Sequence, residues 1–209
     1  KLFTDGSIDK YKVRFVFRGF TQQKFVDFEE SFAPITQLTS IKLFYFKLLS
    51  YNLKDCVLDI KSAFLQAEID REIWAELPEG FEHNGCRYAK LKRAIPGTKQ
   101  GAYLWWKLFS SVILETGFIQ SPKEPCLFAY FKDSIVCIIL IHTDNVMCGY
   151  NNKPWLDNLI KNVWGKHFET AYVHSQSVLG VHIDRLDPQT IAFSQKAYIE
   201  KLIKKYDLG

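Results

Sequence analysis

The stretch Ser134–Tyr150, SIVCIILIHTDNVMCGY, constrains this chain more than any other. It holds two apolar runs, Ile135–Ile141 and Val146–Met147, around the polar tip His142-Thr143-Asp144-Asn145. The first run is β-branched and continuous, the pattern of a strand buried on both faces. Asp and Asn accept tight-turn dihedrals, so the tip predicts a hairpin turn. A carboxylate fixed at such a tip can be aimed at a ligand. The same Asp-Asn pair also serves as plain turn chemistry, and this stretch alone leaves both readings open.

A buried hairpin needs a core around it. The 209 residues are 47% hydrophobic and 24% charged, which suits one globular domain, or one domain with a subdomain. A net charge of +4 permits a polyanionic partner without demanding one. Five cysteines, Cys56, Cys86, Cys126, Cys137 and Cys148, form no CxxC pattern, and three lie in strongly apolar stretches. Reduced, buried thiols in an intracellular protein are expected, rather than disulfides or a zinc site. No apolar run reaches the roughly 18 residues of a membrane span. The start on Lys1 without a signal peptide predicts a fragment of a longer chain with no membrane partner.

Along the chain, Asp5-Gly6 marks a turn after Lys1–Phe3. Lys12–Arg18 alternates, with Val13, Phe15 and Phe17 on one face and Lys12, Arg14 and Arg18 on the other, which predicts a strand. Its basic face is either solvated or meets phosphates. Ile41, Phe44, Tyr45, Leu48 and Leu49 predict a helix capped by Thr39 or Ser40 and ending near Asn52. Cys56–Ile60 predicts a short buried strand carrying Asp59. That carboxylate is placed to bind a metal or to cap the helix that follows.

Strands are expected at Ile73–Leu77 and Tyr88–Leu91, and a glycine-bounded loop at Gly97–Gly101. Ala102, Trp105, Trp106, Phe109, Val112 and Ile113 predict a helix that Gly117 closes, its tryptophans in the core. Leu127–Phe131 leads through Lys132-Asp133 into the hairpin. A helix is expected at Leu156–Trp164, strands at Val178–Ile183 and Ile191–Phe193, and a last helix at Tyr198–Tyr206 before Gly209. The order of elements predicts an α+β fold, with helices packed on one face of an antiparallel sheet. If the Asp59 and Asp144 strands are neighbours, their carboxylates can share divalent cations. Two such ions about 3.5–4 Å apart are the general device of phosphodiester chemistry.

Ordered motifs run nearly end to end. They include Asp5-Gly6-Ser7-Ile8 with Tyr11–Val16, Arg18-Gly19-Phe20-Thr21-Gln22, Glu29–Pro34, and Leu58-Asp59-Ile60-Lys61-Ser62-Ala63-Phe64-Leu65. Pro78-Glu79-Gly80-Phe81, Lys90–Ala94, Gly117-Phe118 with Ser121-Pro122, and Phe193-Ser194-Gln195 with Tyr198-Ile199 complete the set. In this combination the chain resembles the reverse transcriptase domain of copia-type LTR retrotransposons.

The resemblance implies an RNA-directed DNA polymerase of right-hand form, a single domain over residues 1–209 truncated at both ends. The fingers would lie at roughly 1–53 and 72–100, and the palm at roughly 54–71 and 101–209. It implies two magnesium ions, with manganese as a substitute, held by Asp59, the backbone carbonyl of Ile60, and Asp144. Phe64 falls at the aromatic position that excludes a ribose 2′-hydroxyl. Gln100 and Gly101 lie beside the incoming nucleotide, and Lys12 and Arg14 contact its triphosphate. The implied partners are an RNA template, a DNA primer, deoxynucleoside triphosphates and the rest of the polyprotein, with its integrase and ribonuclease H. The implied location is a cytoplasmic virus-like particle.

The chain departs from the family at the tip, where Asn145 replaces the second aspartate of Tyr-Val-Asp-Asp and His142 the tyrosine. Ala94-Ile95-Pro96-Gly97-Thr98 replaces the family's Ser-Leu-Tyr-Gly-Leu, and Gly101-Ala102-Tyr103 its Ala-Pro-Arg. Impaired polymerisation is the resulting expectation. The alternative is a non-catalytic nucleic-acid-binding relic or a degenerate fragment.

Overall fold

The apolar run of the hairpin lies inside a six-stranded antiparallel sheet, with other strands on both sides of it. The computed structural model describes residues 11, 13–82, 84–173 and 177–207. In chain order they form α1 (Leu38–Ser50), β1 (Lys54–Ile60), α2 (Ala63–Gln66), β2 (Trp74–Glu76), β3 (Tyr88–Lys90) and α3 (Gly101–Glu115). Then come β4 (Ile119–Gln120), β5 (Leu127–Lys132), β6 (Ile135–His142), β7 (Asn145–Tyr150) and α4 (Lys153–Asn162). β8 (Thr170–Val173), β9 (Ser177–Val178), β10 (Val181–Asp187), β11 (Thr190–Ser194) and α5 (Lys196–Tyr206) complete the order. The α+β class is as expected. No helix of the described residues is long and apolar enough to cross a membrane.

The chain divides into two compact units. The first holds Phe64–Trp105 with the segment ending at Ala33. The second holds Pro34–Ala63 with the segment beginning at Trp106.

The second unit is built on the sheet, in the order β4-β5-β6-β7-β1-β8. The turn between β5 and β6 has positive φ at both Asp133 and Ser134, the dihedrals of a type I′ hairpin. Residues 137–141 of β6 and 146–150 of β7 are all buried. Burial of consecutive residues requires cover on both faces, because successive side chains point to opposite sides.

That cover comes from different helices. Phe128 pairs with Ile139, which pairs with Cys148, so these three share a face. Phe109 of α3 packs on Phe128 at 6.4 Å, and Trp155 of α4 packs on Tyr130 of the same face at 4.7 Å. Gly149, next along β7, faces the other way. A Cβ built on Gly149 would sit 1.9 Å from Leu48 Cδ2 of α1. So α1 lies on the opposite face from α3 and α4, and the expectation of helices on one face only is corrected. Ile41, Phe44 and Leu48 of α1 are fully buried there.

Beyond the sheet, β11-β10-β9 form a three-stranded sheet. Arg185 of β10 donates to the Leu53 carbonyl at 3.0 Å and lies 3.7 Å from Asp55. α5 buries none of its residues and ends at Asp207, whose φ is +51°. The expected closing residue, Gly209, lies outside the described residues, as do Lys1–Phe3 and Asp5-Gly6.

Several boundaries differ from the sequence reading. α1 begins after Gln37, which makes no side-chain cap bond. Ser40 instead donates its hydroxyl to the Glu124 carboxylate. In α3, Trp105, Phe109, Val112 and Ile113 are buried as expected, whereas Ala102 is exposed. The first unit holds the paired strands β2 and β3. Val13–Arg18 is not a strand. Its Phe17 N–H donates to the Pro96 carbonyl at 2.8 Å, and Val13 is 96% exposed. Alternation marks a segment that can pair, but a strand forms only where a partner supplies the ladder. At this crossing Gly97 has φ +97°, and a Cβ on it would lie 2.1 Å from the Phe17 carbonyl oxygen.

Phe109 is fully buried among Phe128, Trp164 and Phe168. We expect Phe109→Ala to cost about 3–5 kcal/mol of stability, measured as a lowered urea midpoint with an unchanged slope.

Candidate active site

The residues expected to hold a metal converge in the second unit because β1 and β7 are neighbours. Asp59 lies directly opposite Asn145, and the Ile60 N–H donates to the Asp144 carbonyl at 2.8 Å. Ile60 and Asp144 thus occupy a hydrogen-bonded position of the antiparallel ladder. Asp59 and Asn145 occupy the adjacent non-hydrogen-bonded position, where facing side chains come closest, with Cβ atoms about 4.5–5.5 Å apart. Asp59 therefore lies within a strand, four residues before α2 starts at Ala63, and is not the cap of that helix.

The tip is tighter than its sequence suggests. His142 and Asn145 pair as the last rung of the β6–β7 hairpin, leaving Thr143-Asp144 as a two-residue turn. Asn145 is consequently a strand residue flanked by His142 on one side and Asp59 on the other. Thr143 has φ +55°, a costly backbone state for a β-branched side chain. Its hydroxyl lies 2.7 Å from the His142 carbonyl and 2.9 Å from Asp144 Oδ1, which holds the turn in this state.

Asn145 Nδ2 donates to the same Asp144 oxygen at 3.4 Å. Asp144 is exposed, while Asp59, His142 and Asn145 are partly buried. Burial pushes the His142 imidazole below its ordinary pKa, and the Asp144 charge only partly offsets this. His142 is therefore neutral at pH 7 and sets no positive charge beside the carboxylates. Next to the site, Lys61 pairs with Glu169 through both backbone and side chain.

The donor chemistry fits a hard divalent cation. Asp59 of β1 and Asp144 of the β6–β7 turn stand at one end of the sheet, with Asn145 next to Asp144 in the chain and opposite Asp59 in the ladder. Magnesium accepts one or two protein carboxylates and completes its shell with water and substrate oxygens. Among the described residues no group of three or more His, Cys, Asp or Glu side chains gathers to hold a metal ion.

The expected nucleotide-side residues lie in the first unit. Gln100 is fully buried. Its Nε2 donates to the Asp27 carbonyl at 2.9 Å and to Asp70 Oδ1 at 3.3 Å, while its Oε1 accepts from Gln22 Nε2 at 3.0 Å. Gln22 Oε1 in turn accepts from the Lys99 N–H at 2.7 Å. Both N–H groups and the oxygen of Gln100 are therefore engaged by the protein. In this arrangement Gln100 ties three segments together, a role that the sequence reading missed. Gly101 is buried, and a Cβ there would lie 2.6 Å from Thr98 Oγ1. Phe64, in α2, is partly buried, Arg14 is exposed, and Lys12 lies outside the described residues.

Comparison with known proteins agrees with the motifs. Residues 3–209 match the family model described as reverse transcriptase (RNA-dependent DNA polymerase). The chain is 31% identical, over 215 residues, to the Retrovirus-related Pol polyprotein from transposon TNT 1-94 of Nicotiana tabacum, an alignment that covers 100% of this chain and 16% of that protein. Identity is 26% over 210 residues to the Retrovirus-related Pol polyprotein from transposon RE1 of Arabidopsis thaliana, and 27% over 214 residues to that from transposon RE2. Each of these alignments covers 100% of this chain and 14% of the relative, so the chain spans about one-sixth or less of the length of the relatives it matches. The family match takes in both carboxylate-bearing strands, and the chain belongs to the reverse transcriptase family.

Proposed function

We propose that this chain is the RNA-directed DNA polymerase domain of a copia-type retrotransposon Pol polyprotein, slowed in this copy by Asn145. It would extend a DNA primer on an RNA template with deoxynucleoside triphosphates. The observation that carries the reading is the ladder position of Asp59, opposite Asn145 and one rung from the Ile60–Asp144 bond. Two aspartates distant in sequence stand one rung apart at one end of a sheet, a backbone adjacency that supports metal-dependent phosphoryl chemistry.

Asp59 and Asp144 would hold magnesium or manganese, with the Ile60 carbonyl as a further ligand. Bound between these residues, such a cation would supply activation of the attacking primer hydroxyl and neutralisation of charge on the departing pyrophosphate. Of the two ions expected, the second would find no charged ligand at Asn145. The amide oxygen can still coordinate, but it brings no negative charge, and its N–H group bonds to Asp144 instead. A unit charge pair at about 4 Å is worth roughly 4 kcal/mol at an effective dielectric of about 20. Losing most of that in the transition state slows the reaction by about two to three orders of magnitude.

In this reading the fingers take roughly residues 1–53 and 72–100 and the palm roughly 54–71 and 101–209. Phe64 would exclude a ribose 2′-hydroxyl, and Lys12 and Arg14 would meet the triphosphate. Gln100 and Gly101 would lie beside the incoming nucleotide, with Gln100 also holding the Gly97–Gly101 loop. Integrase and ribonuclease H would be supplied by the rest of the polyprotein, in a cytoplasmic virus-like particle. One observation favours a second reading, a non-catalytic nucleic-acid-binding relic. The Asn145 amide satisfies Asp144 without any cation.

Primer extension on an RNA template separates the two readings. We expect weak magnesium-dependent extension that Asp59→Asn abolishes and Asn145→Asp raises by about two to three orders of magnitude. Extension unchanged by Asn145→Asp would remove the metal-ligand role of this position. Salt-dependent template-primer binding with no extension by any variant would favour the relic.

Magnesium should also raise the melting temperature of Asn145→Asp more than that of the parent chain, because two facing carboxylates repel until a cation lies between them. In the first unit, Gln100→Leu leaves Asp70 and the Asp27 carbonyl without their donor. It should lower stability by about 1–3 kcal/mol, read from a urea titration.

A further inference from the structure

Three cysteines lie on neighbouring strands of the six-stranded sheet, and the site described above uses none of them. Cys56 of β1 is directly opposite Cys148 of β7. Cys137 of β6 shares their face, since Cys148 pairs with Ile139, two residues along the same strand. All are free thiols. Cys137 and Cys148 are buried, and Cys56 is partly exposed.

The ladder decides which two can meet. Counting back in twos from the Ile60–Asp144 bond, Cys56 and Cys148 occupy a hydrogen-bonded position, where facing Cα atoms are about 5.5 Å apart. A disulfide spans Cα separations of about 4.4–6.8 Å. Cys56 and Cys137 are separated by the whole of β7, so their strands are about 9–10 Å apart. Cys137 is only a diagonal neighbour of Cys148, about 7–8 Å away, so among these three the Cys56–Cys148 pair is the one within reach of a bond without moving a strand.

The two thiols differ in character. A hydrogen bond from Cys148 holds the Cys56 thiol below its ordinary pKa, and Lys153 adds to this, while burial, Asp55 and Asp157 oppose it. The same hydrogen bond and complete burial push Cys148 well above its ordinary value. Burial also pushes Cys126 up to about 11 and Cys137 higher still. The thiolate is the reactive form, so the sheet contains one activated, reachable sulfur facing one protonated, shielded sulfur.

We propose that Cys56 and Cys148 form a reversible thiol–disulfide pair, oxidised by hydrogen peroxide, with Cys56 as the attacking thiol and Cys148 as the resolving one. The Cys56 thiolate attacks a peroxide oxygen. An S–O bond forms, the O–O bond breaks, and the departing hydroxide takes up the proton that Cys56 released, leaving as water. The Cys148 sulfur then attacks the Cys56 sulfenic acid. The S–S bond forms, the S–O bond breaks, and the hydroxyl leaves with the Cys148 proton as a second water. Two thiols lose two electrons and one peroxide gains them. A dithiol reductant returns both thiols by exchange.

The crosslink would join β1 to β7 three residues from Asp59 and three from Asn145, tying together the two strands that carry the proposed metal ligands. The proposal does not rest on the polymerase reading, because its test needs no catalysis.

The test is peptide mapping of the intact chain after one equivalent of peroxide, with free thiols alkylated under denaturing conditions. We expect a linked peptide pair containing Cys56 and Cys148, a loss of two hydrogens from the intact mass, and full reversal by dithiothreitol. Cys148→Ser should leave Cys56 as a sulfenic acid that dimedone traps, and Cys56→Ser should leave Cys148 free to be alkylated. The parent chain alone suffices if either variant folds poorly. Linkage of Cys56 to any other cysteine, or oxidation of exposed Cys86 with Cys56 and Cys148 still free, would overturn the proposal.

Discussion

A single backbone hydrogen bond fixes the layout of the candidate site, the one from the Ile60 N–H to the Asp144 carbonyl. It sets the register of β1 against β7, and register decides which side chains face each other. With that bond in place, Asp59 must stand opposite Asn145, Leu58 opposite Val146 and Cys56 opposite Cys148. The bond joins residues far apart in sequence, so closing it costs chain entropy. Burial of β6 and β7 under helices on both faces offsets that cost. Leu58, Ile139, Leu140 and Val146 are all fully buried.

The same constraint explains why the tip can be strained and still be ordered. Thr143 occupies a backbone region that threonine avoids, in a turn with no spare residues. A longer loop would relax it, but would also let Asp144 wander. Here the hairpin is anchored by buried pairs directly below the turn, from Ile141–Val146 downward, so the local cost is carried by the core. The departure from the family pattern is chemical rather than architectural. Asn145 sits where a strand residue should sit, and what it lacks is a charge.

Much of this was legible in the sequence. The continuous β-branched run announced a strand buried on both faces, and the i, i+3, i+4 spacing announced α1 and α3. That first signal already implied helices on both sides of the sheet, and the expectation of one covered face overlooked it. The two aspartates were visible as carboxylates on apolar strands. Their adjacency was not, because it depends on pairing between segments with β2, β3, α3 and three further strands between them. Gln100 was the opposite case. Its partners, Gln22, Asp27 and Asp70, lie 78, 73 and 30 residues away, and no local period marks a buried amide. Val13–Arg18 shows the limit of alternation, which describes a face but cannot supply a neighbour.

The two-residue connection at Thr143-Asp144 has a consequence for how such a domain ages. Side chains along β1 and β7 can change one at a time without disturbing the frame, as Asn145 illustrates. Insertion or deletion of one residue on either strand shifts every pair below it and turns each side chain to the other face. Substitutions at the tip are therefore tolerated by the fold, whereas changes of length are not. A lineage released from selection for catalysis would lose the charges of this site well before it lost the scaffold that displays them.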